Sequence, residues 1–210
     1  MNPADTVIDC GRRLTERHLV WGRSGNISLR LEPDTFLITG SGTSLGSLTE
    51  ADLVVCRLDG ETCRGARRPS MESRLHRELY RRAPDAWSVV HSQAFFTTLV
   101  ACSNIPVRTD CLPEAMAYLG RVERVRYAHA GSKELADAVA EKAGAAPVLV
   151  MNNHGAVCWG GSLEDCLQKT ETLEFLCRLL VGGVKGGVEL NFLGADVMED
   201  FLRQLASKDC

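Results

Sequence analysis

The chain has 210 residues, of which 45% are hydrophobic and 24% charged, with a formal net charge of −3; this is the composition of one domain with a substantial core. So mild an acidic balance gives no reason to look for nucleic acid or an anionic membrane surface as a partner. The opening MNPADTVIDCGRRL has no basic region leading into an apolar run and does not read as a secretory signal, and the nine cysteines contain no CxxC pair, so free thiols in a reducing cytoplasm are expected.

Residues 4–18 place Val7, Cys10 and Leu14 at helical spacing. WGRSGNISLRL then turns at Gly22 and Gly25 and alternates as a strand over 27–31. TFLITGSGTSLGSLTEADLVVCRLDG reads as strand, small-residue loop, helical turn and strand, with a hairpin signal at Asp59-Gly60. RRPSMESRLHRELYRR predicts a helix capped by Ser70, with Met71, Leu75 and Leu79 down one face. The segment 86–107 lacks Asp, Glu, Lys and Arg but carries His91, Gln93 and Asn104, which suits a buried interior better than a membrane span.

Within that segment a strand over 88–91 runs into a helix from about residue 94. Further strands are expected at 122–127 and on either side of NNHG, with a helix from Ser132 to Gly144 between them. A long helix over 163–181 precedes the glycine-rich GGVKGG, and a last helix over 195–206 closes the chain. The pattern predicts a single α/β domain of the α+β type over 1–185 and a C-terminal linker with a helix over 186–210, packed on the domain or on a neighbouring subunit.

Three loops combine glycine with hydroxyl or amide side chains: Ser24-Gly25-Asn26, the TGSGTS run containing Thr39, Ser41 and Gly42, and RPSMES with Ser70. Converging in space they would suit a phosphate or carboxylate; singly, each is an ordinary turn. Glu72, at a helix start, reads either as a carboxylate complementing the helix dipole or as a general base. His91 and Gln93 share a strand face, being two residues apart. His154, in a turn between two apolar strands, becomes a metal-ligand candidate when paired with His91. A glutamine oxygen as the third donor would favour harder ions such as Mn²⁺ or Mg²⁺.

Taken in order, GNIS, FLITGSG, LDG, PSMESRLHRELYRRAPDAWSVVHSQ, GSKELADAV and NNHGAV make residues 4–182 resemble the class II aldolase/adducin family. The resemblance implies a central, largely antiparallel sheet flanked by helices, and a homotetramer with active sites between subunits. It also implies a divalent metal, usually Zn²⁺, held at positions that map to His91, Gln93 and His154. Glu72 maps to the acid/base glutamate, and Asn26, Ser41, Gly42 and Ser70 to loops that hold a small anionic substrate. The implied activity is metal-dependent cleavage of a carbon–carbon bond beside a carbonyl, with decarboxylation or a non-catalytic, adducin-like assembly role as alternatives.

Three positions depart from the family pattern. Gln93 stands for the second metal histidine and Met71 for a phosphate-binding serine. Asp110 stands about where aldolases carry a proton-donating tyrosine that reaches a neighbouring site. His129 is a candidate substitute ligand or acid, beside a plain surface or capping role.

Overall fold

The computed structural model describes residues 2–60 and 63–207. Helix α1 (Pro3–Glu16) starts where the Asn2 side chain accepts from the Ala4 amide, and it buries Val7, Cys10 and Leu14. Strands β1 (Asn26–Glu32), β2 (Thr35–Thr39), β3 (Leu53–Arg57) and β4 (Cys63–Arg64) follow, then α2 (Ser73–Arg82) and β5 (Ser88–Ser92). Helices α3 (Phe95–Ala101) and α4 (Pro113–Leu119), strand β6 (Val122–Val125) and helix α5 (Lys133–Ala143) come next. Strands β7 (Val148–Met151) and β8 (Gly155–Gly160) lead into α6 (Leu163–Gly186) and α7 (Ala195–Ala206).

The strands form one eight-stranded sheet in the order β4-β3-β2-β1-β5-β8-β7-β6. Every neighbouring pair is antiparallel except β6–β7, so the expected α+β architecture with a largely antiparallel sheet is what forms. Helices α2 and α5 cover one face, and α1, α3 and α6 the other. Central strand β5 is buried on both sides: Val89 joins the cluster under α2 and α5, while Val90 joins the cluster under α1 and the start of α6.

The register of β1 against β5 sets the site. Asn26 lies opposite His91 and Ser28 opposite Val89. Alternation then puts Asn26, Ser28 and His91 on the face that α2 covers.

Three expectations are corrected. The α2 helix begins at Ser73, and Glu72, not Ser70, occupies its N-cap position without making a side-chain cap. Ser70 instead accepts from the Glu72 amide in the turn before the helix. This turn swings Met71 outward to 72% exposure, so Met71 is not a core residue.

Finally, the long helix expected to end at residue 181 runs on through most of GGVKGG, because α6 continues through Gly186 and ends on Gly187 in the left-handed conformation. A β-carbon on Gly183 would lie 2.9 Å from Leu190 Cγ; the close packing that glycine allows there offsets its poor helix propensity. The C-terminal segment is pinned by Asp110, whose backbone oxygen accepts from Leu193 and whose carboxylate accepts from the Gly194 amide. The side chain of Cys63 and the whole of Cys210 lie outside the described residues; Cys10, Cys102, Cys111, Cys158, Cys166 and Cys177 are free thiols. Among the described residues no helix is long and apolar enough to cross a membrane.

Candidate metal and anion site

Glu72, His91 and His154 come from three separate elements: the turn before α2, the end of β5 and the turn between β7 and β8. Their ligand atoms all lie within 4.8 Å of one another. Glu72 Oε2 is 3.4 Å from His91 Nε2, and Glu72 Oε1 is 3.2 Å from His154 Nε2. The two imidazoles meet edge to face, with centroids 4.8 Å apart.

The donor chemistry fits a cation. His91 Nδ1 lies 2.9 Å from the Ala156 carbonyl oxygen, which only accepts, so Nδ1 carries the hydrogen and donates. In the neutral ring, Nε2 is then a bare lone pair facing a carboxylate oxygen. Two acceptors face each other across a buried gap, and Glu72 Oε1 is buried with no hydrogen bond. A divalent ion resolves both. A carbonyl that orients a histidine through its distal nitrogen is the usual support for a metal ligand.

Burial raises the Glu72 carboxyl, but the positive charge that His91 and His154 carry when protonated, together with the Asn26 amide, outweighs it and holds the pKa below the ordinary carboxylate value, and a cation at the same place would act in the same direction. Burial, helped by His91, holds the His154 pKa below its ordinary value, which favours the neutral, ligating ring.

Local backbone conformation makes the convergence possible. Gly25 has φ +79°, and a β-carbon there would sit 2.8 Å from the His91 carbonyl oxygen. Gly155 has φ +154°, and its β-carbon would lie 2.5 Å from the Ser92 carbonyl oxygen. Only glycine lets these turns close on β5. Asn153 takes a left-handed φ of 58°, which asparagine tolerates. The turn is tied down by Asn153 N donating to Ala101 O and by Arg124 donating to Asn152 Oδ1.

The three residues floor a cleft of about 250 Å³, also lined by Asn26, Ser41, Gly42, Ser70, Met71 and Gln93. The glycine-hydroxyl loops thus reach one place. Of the other sequence candidates, Gln93 lines the same cleft. Thr39 is buried away from it, its hydroxyl accepting from the Ile27 amide, which is a strand-pairing role.

Asp110 does not line the cleft. Its carboxylate is paired with Arg108, the main cause of its lowered pKa, so within its own chain it is an ionised structural anchor and no proton donor. His129 is bonded to Tyr127 at the exposed rim, beside cleft-lining Ala130. Sequence reading passed over Arg23, which lines the cleft mouth, and His76, which is wholly buried against Asn26. The signal for His76 was its i+4 spacing from Glu72.

Comparison with known proteins gives the same picture. Residues 5–181 match the family described as Class II Aldolase and Adducin N-terminal domain. An L-fuculose phosphate aldolase of Methanocaldococcus jannaschii is 33% identical, over 80% of this chain and 90% of its own. A 3-oxo-tetronate 4-phosphate decarboxylase of Haemophilus influenzae is 29% identical, over 83% and 85%. A solved L-fuculose 1-phosphate aldolase superposes with a TM-score of 0.90 at 26% identity, covering 98% of this chain and 96% of its own. The chain belongs to the class II aldolase and adducin family.

Proposed function

We propose that the protein is a divalent-metal-dependent lyase cleaving a carbon–carbon bond beside a carbonyl in a small phosphorylated sugar or related oxo-acid. The observation that carries this reading is the meeting of Glu72, His91 and His154 beneath the hydroxyl- and glycine-lined wall of one cleft. Two imidazoles and a carboxylate are a donor set known from catalytic zinc sites, which favours Zn²⁺ over Mn²⁺ or Mg²⁺. A bound divalent ion supplies Lewis-acid polarisation of a substrate oxygen.

The chain's own groups do the rest. Ser41, Gly42 and Ser70 hold the anionic end of the substrate, and Asn26 presents an amide hydrogen to the cleft. Glu72, kept ionised by its surroundings, is the acid/base group of the site. Gln93 occupies the cleft wall, where its amide orients substrate or water.

Decarboxylation is the second reading. It needs the same stabilisation of an enolate, and it is favoured by Met71, which supplies no hydroxyl, and by Asp110, which is ionised.

Trp21, Met71 and Phe95 are each about 70% exposed and within two residues of a cleft-lining position. They suit a second copy of the chain covering the cleft mouth in a cytoplasmic homotetramer. A panel of sugar phosphates and oxo-acids, run with Zn²⁺, Mn²⁺ and Mg²⁺, tests the activity. A substrate should emerge on which Glu72→Gln lowers kcat by about 100-fold or more. Full activity of that variant would remove Glu72 from the acid/base role.

A further inference from the structure

Beneath the cleft lies a column of buried polar side chains. From the N-cap of α2 along the helix, Glu72, His76 and Tyr80 follow at i, i+4 and i+8, about 6 Å apart along the axis. On β1, Asn26 and Ser28 follow at i and i+2, about 6.6 Å apart. The two repeats are nearly commensurate, so the side chains interleave as a ladder: Glu72, Asn26, His76, Ser28, Tyr80. Each is at most 8% exposed.

The hydrogen positions follow from one end. Ionised Glu72 only accepts, so Asn26 turns its amide nitrogen to Glu72 Oε2, at 2.9 Å. Asn26 Oδ1 then faces His76 Nε2, which must carry a hydrogen to donate. The His76 ring is fully enclosed and its two nitrogens face only the neutral Asn26 and Ser28, so the neutral ring is the form this column accommodates. Its Nδ1 is therefore a lone pair, and Ser28 Oγ, 2.7 Å away, donates to it. With that hydrogen committed, Tyr80 donates to Ser28 Oγ across 2.7 Å. Every hydrogen in the column points toward Glu72.

We infer that His76 is a positioning residue which, oriented by Ser28 and Tyr80, fixes the amide of Asn26 and thereby the carboxylate of Glu72. The inference rests on Glu72 serving the proposed site. The column engages Oε2 from behind and leaves Oε1 open toward His154. A flipped Asn26 would set a carbonyl oxygen against the carboxylate and present an acceptor to an anionic substrate.

Two variants separate direction from packing. Glutamine at position 76 can accept from Ser28 through Oε1 and donate to Asn26 through Nε2, keeping the polarity, whereas leucine fills space with neither. In the full chain titrated with Zn²⁺ against a chromophoric chelator, His76→Leu should weaken binding about tenfold or more. His76→Gln should stay within a few-fold of the parent. Equal loss in both, or no loss in either, overturns the positioning role.

A readout needing neither metal nor substrate is the nitrogen NMR of the imidazoles in the unsubstituted protein. His76 should hold a single Nε2–H tautomer at neutral pH, and the Asn26 side-chain amide should be protected from exchange. An Nδ1–H tautomer, an imidazolium, or a freely exchanging Asn26 amide overturns the inference, even if His76→Leu does not fold. If the unsubstituted protein takes up no Zn²⁺ while the tautomer holds, the metal reading fails and the ladder stands.

Discussion

His76 makes a pH prediction that belongs to one side chain. Its folded pKa is about 3, against about 6.5 in an unfolded chain. Below about pH 6.5 the unfolded chain takes up a proton that the native state refuses, so stability falls toward acid, by up to about 1.4 kcal/mol per pH unit until about pH 3. Urea unfolding at neutral pH and near pH 5 should show this slope in the parent and a shallower one in His76→Gln, and equal slopes would contradict it.

At this scale the sequence was most informative where the backbone itself carries the signal. Glycines 25 and 155, the serine-glycine loops and His91 stand at turns and strand ends that local patterns mark. The role of His76 was hidden because it needs a helical and a strand period read together, with the register between β1 and β5 known.

Among elements, the turn between β7 and β8 is the least tolerant. A methyl group at Gly155 meets the Ser92 carbonyl oxygen at 2.5 Å in an unfavourable backbone region. Gly155→Ala should therefore cost about 1–3 kcal/mol and abolish metal uptake by displacing His154. Thermal unfolding and metal titration of that variant check both effects.

The C-terminal segment hangs on Asp110. Its carboxylate pKa is depressed by Arg108 foremost, so its contribution is present above about pH 4 and is lost as pH falls through the lower folded value. Because Arg108 is half exposed, solvent screens the pair and its contribution is small. Asp110→Asn should speed hydrogen exchange across 187–207 at neutral pH while leaving the central sheet protected. Uniform exchange in both proteins would mean that the segment is held elsewhere. Strands and most helices were legible from periodicity and caps, Ser132 above all. The last turns of α6 were not, since the fit of Gly183 in the helix depends on Leu190, which packs against it from outside the helix.

For the whole molecule, the fold class and the order of motifs followed from the sequence, whereas the meeting of Glu72, His91 and His154 depends on three-dimensional closure of the sheet. Asp110 shows the limit of reading position by position: a residue aligned with a proton donor became an ion-paired anchor once Arg108 and Gly194 surrounded it. The exposed Trp21, Met71 and Phe95 should become protected in the assembled protein, and light scattering of the purified chain should give a mass of several subunits. A monomer at micromolar concentration would leave the cleft mouth open and remove the shared-site arrangement.

The most direct test is the metal content of the protein after exposure to Zn²⁺ and exhaustive dialysis, measured by inductively coupled plasma mass spectrometry. The site geometry predicts one divalent ion per chain, with little retained by His91→Ala or His154→Ala variants that keep the parent's circular dichroism. A parent protein that retains no divalent metal, or histidine variants that retain as much as the parent, would contradict it.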